Sequence, residues 1–273
     1  MRARQAMAGL DINAPYSSAG GAHGADSGAE TMTAGHKLSL EIVQHPHTPS
    51  AIKIEGVKAT LERGLDTNAR WREGRASGIV GATLLAAVLW LQGVSDDSKL
   101  ELARRLLDQG LDVNSESVER ATKASSGTFI LAGAINCSSL QSESKARLLS
   151  MMVDAGLDLN SPCQQGKEAS TTGSTLGARV AAAAGIKVDD QIAMLVTLVK
   201  GGWRPAGLSR SDQTKLANVA TLLRNPALDP ALRAALEQQL LQCDSGDWSW
   251  AQVQQAMGAA AGSFAAAAGS PSS

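Results

Sequence analysis

A tract ending in Gly-Leu-Asp-x-Asn returns at a fixed interval along this 273-residue chain, and that interval limits what the chain can fold into. The copies are KATLERGLDTN, RRLLDQGLDVN and LSMMVDAGLDLN. Their glycines, Gly64, Gly110 and Gly156, stand 46 residues apart each time. A further step of 46 reaches Gly202 in TLVKGGWRPAG. Self-similarity at a period of this size marks an architecture in which each unit buries its apolar face on its neighbours.

Each copy closes a helix whose apolar positions superimpose. Leu102, Ala103, Leu106 and Leu107 correspond to Leu148, Leu149, Met152 and Val153, and then to Met194, Leu195, Leu198 and Val199. That spacing draws one stripe along an α-helix. Ser98, Ser144 and Asp190 read as N-caps, each behind an acid (Asp97, Glu143, Asp189), and Ser98 with Glu101 fits a capping box. At the other end, Gly110 stands where the helix must stop, and glycine takes the left-handed conformation without a Cβ clash. Leu111 can fold back on the last turn, and Asp112 and Asn114 suit the turn that follows.

A shorter helical pattern precedes each of these helices: TLLAAVLWLQ from Thr83, TFILAGAINC from Thr128 and TLGARVAAAA from Thr175. GHKLSLEIVQH and AIKIEGVKATLERG make the first pair, and SDQTKLANVATLLRN with DPALRAALEQQLL add two more helices without the GLDxN ending. After Asn68, Asn114 and Asn160 come long polar segments, ARWREGRASGIVGA, SESVERATKASSG and SPCQQGKEASTTGS, which read as irregular loops.

Thr83, Leu84, Ala86, Ala87, Leu106, Leu107, Gly110, Asp112, Val113 and Asn114 together resemble the ankyrin repeat, although the period is longer and the Pro and His after the Thr are absent. The resemblance implies an all-α fold: an ankyrin-like α-solenoid of about four helix pairs over residues 37–206. A helical cap over 207–244 is expected to follow. Residues 1–36 and 245–273, rich in Gly, Ala and Ser, are expected to be a disordered leader and a low-complexity tail. Such a leader ahead of such a module resembles bacterial type III secreted effectors, which implies export into a host cell. An adaptor that stays in the bacterial cytoplasm is the alternative.

Composition narrows the function. A net charge of -1 argues against a general nucleic-acid or anionic-membrane binder. No run of 18 apolar residues is present, so no membrane span is expected. Cys137, Cys163 and Cys243 are too scattered for a disulfide framework. The pair His45 and His47 flanks a proline in a loop, with no further ligand at metal spacing, and no phosphate loop or nucleophile elbow appears. The expectation is a non-catalytic protein–protein interaction module without cofactors, with an enzymatic site in the C-terminal third as the alternative. In the resemblance the loops line the face where partners dock. Trp71 with Arg70 and Arg72 is the anchor candidate, supported by Arg120 and Lys123 in the second loop and Lys167 in the third. Their basic bias suggests an acidic patch on another protein.

Overall fold

A computed structural model describes residues 11–16, 32–119, 121–165 and 168–203. Four helix pairs follow one another: α1 (Ala34–Gln44) with α2 (Ser50–Glu62), α3 (Val80–Leu89) with α4 (Asp96–Asp108), α5 (Ser126–Asn136) with α6 (Ser142–Asp154), and α7 (Thr172–Ala182) with α8 (Val188–Lys200). The first helices stack on one another from α1 through α3 and α5 to α7, and α4, α6 and α8 stack beside them. One apolar core runs through the stack, from Ile12 to Trp203.

The long loops are not irregular. Each folds as a hairpin of two four-residue strands joined by two residues: β3 (Arg70–Glu73) with β4 (Ala76–Ile79), β5 (Glu116–Glu119) with β6 (Thr122–Ser125), and β7 (Pro162–Gln165) with β8 (Glu168–Thr171). The three hairpins join edge to edge into one six-stranded antiparallel sheet, in the order β3-β4-β5-β6-β7-β8. This overturns the all-α expectation and, with it, the ankyrin-repeat resemblance and the solenoid description: the fold is mixed α/β. The reason is a match of lengths. Neighbouring helices pack about 8–10 Å apart, and the two strands of a hairpin occupy about twice 4.8 Å. One hairpin per helix pair therefore fills one step of the stack, and the strands of successive units meet.

The helix starts also differ from those the sequence suggests. Ser95, not Ser98, caps α4 by accepting the Ser98 N–H at 3.2 Å, and Gln141 and Lys187 hold the N-cap positions of α6 and α8. Ser125 and Thr171 cap α5 and α7 in the same way, from the last residue of the preceding strand. An extended backbone is what an N-cap requires, so strand runs into helix without a loop.

The repeated GLDxN is a joint between units. Gly64, Gly110, Gly156 and Gly202 all have positive φ, from +81° to +87°. Around Gly110 the Schellman pair is complete: its N–H donates to the Leu107 carbonyl at 2.9 Å and the Leu111 N–H to the Leu106 carbonyl at 3.0 Å. The Asp112 carboxylate accepts the Asn114 N–H at 3.0 Å. Asn114 then reaches the next unit, donating to the Gly156 carbonyl at 2.8 Å and accepting the Asp158 N–H at 2.8 Å. Asn68 bridges to Gly110 and Asp112 with the same geometry. Behind this joint, the first turn of α5 sits so close that a Cβ on Gly127 would lie 3.0 Å from the Val113 carbonyl oxygen and 2.7 Å from Leu157. Gly35, Gly81 and Gly173 occupy the same place, 46 residues apart.

Part of the span expected to be a disordered leader belongs to this frame. Ile12 is buried, and Asn13 donates to the Gly64 carbonyl at 2.9 Å and accepts the Asp66 N–H at 2.8 Å. β1 (Pro15–Tyr16) pairs antiparallel with β2 (Met32–Thr33) ahead of α1. The sequence here is Gly9-Leu10-Asp11-Ile12-Asn13, a further copy of the motif, 55 residues before Gly64. The cap expected over 207–244 and the tail over 245–273 lie outside the described residues.

Candidate functional site

Directly paired residues of a sheet project to the same side, which gives this sheet an outer and an inner face. Arg72, Ser77, Val118, Lys123, Gln164 and Ala169 form one continuous cross-strand row. This row is the outer face, where Arg72 and Lys123 are exposed. Arg70 shares it at the root of β3. Trp71, on the alternate side, faces the helices: its indole N–H donates to the Thr83 hydroxyl at 2.8 Å, and its ring lies 5.9 Å from His36. The expected anchor cluster is thus divided between the two faces. Lys123 is also paired across the strands with Glu116 at 2.8 Å, an exposed pair of little energetic weight. Arg120 and Lys167 lie outside the described residues.

Between the inner face and the helices runs a trough with two adjoining cavities. One, of ≈ 350 Å³, is lined by Trp71, Gly78, Thr83, Ala86, Val118, Glu119, Phe129 and Ile130 among others. The next, of ≈ 300 Å³, is lined by Glu119, Thr122, Phe129, Ala132, Gly133, Asn136, Cys163, Thr175 and Arg179 among others. Glu119 and Phe129 border both. Small residues make the floor, so the helix backbones stay open to an incoming chain, and Trp71 and Phe129 supply apolar walls. Trp90, 49% exposed at the end of α3, lies over Gly133 of the next helix. Phe129, Arg179 and Trp90 were not singled out from the sequence. The signal available was the repeat itself: Thr83, Phe129 and Thr175 are equivalent at intervals of 46, as are Ala87, Gly133 and Arg179.

Among the described residues, the geometry closest to a nucleophile and its base is Ser139 with Lys99, whose Nζ is 2.9 Å from the Ser139 hydroxyl. Lys99 is fully buried, and burial lowers its pKa, partly offset by Cys137 and Asp96. The ammonium nonetheless has three acceptors, the carbonyls of Leu89 (3.0 Å) and Ser139 (2.9 Å) and the hydroxyl. The hydroxyl hydrogen is itself directed to the Leu89 carbonyl at 2.8 Å. Lys99 therefore caps the C-terminus of α3 as a cation and has no free lone pair with which to take a proton. Lys145 repeats the role on the Ile135 carbonyl at 2.9 Å. His45 and His47 stay in their loop, with His45 bonded to Thr48 at 3.0 Å.

His36 stands apart. It is fully buried, with no hydrogen-bond partner among the described residues on either ring nitrogen, and burial, then Lys37, pushes its pKa down to about 4. Unfolded, the ring titrates near its ordinary 6.5. From that pH downward the unfolded chain takes up a proton that the folded chain refuses. Stability is therefore expected to be level above pH 6.5 and to fall as pH drops toward 4, by up to roughly 3 kcal/mol from this group. Denaturant melts of the parent and His36→Ala across this range check it. Ala82 fills the equivalent position one unit on, and the variant should lose this component of the slope. An unchanged slope would show that carboxylates alone cause the acid sensitivity.

Comparison with known proteins gives no matching family model and no matching curated protein. Among the described residues, no helix is long and apolar enough to cross a membrane.

Proposed function

We propose that this chain is a non-catalytic protein-binding module, and that a segment of one partner protein docks in the trough between the sheet and α3, α5 and α7. The observation that carries this reading is a contrast within the repeat. The frame positions barely change: Gly64, Gly110 and Gly156 recur, as do Asn68, Asn114 and Asn160, and Gly81, Gly127 and Gly173. The trough positions change in size and chemistry: Trp71, Ser117 and Cys163 on the strands, and Thr83, Phe129 and Thr175 on the helices. A fixed scaffold carrying different groups along a concave surface suits recognition of one extended target. Aromatic side chains beside small ones are the kind of lining that binding clefts use.

A photo-crosslinking residue placed at Ala86 or Ala132 should capture a partner in the producing cell, and the same residue at Arg104 or Ser150 on the second helices should not. Ala86→Arg, which fills the first cavity, should abolish that capture while leaving the helical melt in place. Capture from the second helices alone would overturn the reading. Export is proposed only from the composition of residues 1–36. Because Asp11–Tyr16 serves the fold, a secretion assay should delete residues 1–10 and keep that segment.

A further inference from the structure

The geometry points to the chemistry of the docked segment, on the premise that the trough is the docking site: we propose that it carries a carboxylate about 10 Å from a large apolar side chain. The carboxylate pairs with Arg179, and the apolar group enters the cavity between Trp71 and Phe129. Arg179 is half-buried, lines the second cavity and has no hydrogen bond or ion pair with any described residue. A guanidinium partly withdrawn from water and left without an acceptor gains from a bidentate carboxylate. The basic groups on the outer face differ. Lys123 already has Glu116, and Arg70 and Arg72 are exposed to solvent.

The apolar end is set by the neighbouring unit, where Trp71, Ala86, Phe129 and Ile130 contribute to a cavity of ≈ 350 Å³. Successive helices lie about 8–10 Å apart. The two groups are therefore about three residues apart in an extended segment, at roughly 3.3 Å each, or about seven apart on one side of a helix, at roughly 1.5 Å each. Glu119 borders both cavities. Its carboxylate repels an acid placed between the two ends and favours a basic or hydrogen-bond-donating residue there.

A phage-displayed random peptide library panned on the full chain, with the enriched peptides then synthesised, tests this. The expected result is enrichment of Asp or Glu three or seven positions from Leu, Phe or Trp. Arg179→Glu should weaken those peptides tenfold or more, and peptides with the acid changed to Lys should regain binding on that variant. A helical melt of each variant confirms that the fold is kept. Enriched peptides without an acid, or binding indifferent to Arg179→Glu, overturn the proposed chemistry; if Ala86→Arg still blocks them, the docking reading stands. Indifference to both substitutions, or no enrichment at all, counts against both readings. A concentration-dependent dimer abolished by Ala86→Arg would make a second copy the occupant and overturn the proposal.

Discussion

Leu148→Ala is expected to cost roughly 2–5 kcal/mol, and the loss should reach helices that Leu148 does not touch. Leu148 is fully buried on α6, which packs against α4 on one side and α8 on the other. Neither neighbour can close the gap without giving up its own register, because each is tied by the asparagine bridges, Asn68 to Gly110 and Asn160 to Gly202. The core is one cluster rather than four, and stability in such an array is shared between a unit and its interfaces. Amide exchange should therefore accelerate in α2 as well as in α4, α6 and α8, and the helical melt should remain a single transition at lower temperature. Faster exchange confined to α6 would mean that the units unfold independently and that the bridges carry little coupling.

The parts of this fold that were legible in the sequence are those with many residues per signal. The eight helices among the described residues leave thirteen-residue and ten- or eleven-residue apolar stripes, and the helix terminator repeats almost letter for letter. The hairpins were not legible, because four residues are too few for alternation to stand out. RWRE and TKAS are largely polar on both faces, and PCQQ shows no pattern at all. What makes them strands is their neighbours: each lies where helix stacking delivers another hairpin at strand spacing. The first GLDxN copy was missed because its interval is 55 rather than 46. The candidate site was half legible. Trp71 was found as an aromatic in a loop, but only pairing shows that it turns inward, away from Arg70 and Arg72. Arg179 inside a run of alanines reads as a solvated helix residue until the sheet closes over it.

The buried lysines were missed for a related reason, and they give the second large effect. A lysine inside an apolar stripe reads as solvent-facing, yet Lys53, Lys99 and Lys145 recur at 46 and all three are buried. At the fourth position Gln191 performs the same task, donating to the Val180 carbonyl at 2.9 Å and the Ala183 carbonyl at 3.1 Å. What Lys99, Lys145 and Gln191 share is a donor that reaches the end of the preceding helix, rather than a charge. Lys99→Ala should therefore cost roughly 3 kcal/mol or more, through the space left by the stem and the Ser139 carbonyl left without its donor. Two further substitutions separate packing from hydrogen bonding. Lys99→Met keeps the volume and removes the donors, and should cost about 1–3 kcal/mol for the unsatisfied carbonyl. Lys99→Gln keeps donors of the kind Gln191 uses, sheds the cost of burying an ammonium, and should stay closer to the parent. Chemical denaturation of the three variants ranks them. If Met proves as stable as Gln, the side chain serves as filler and the cap contributes nothing to the joint between helices.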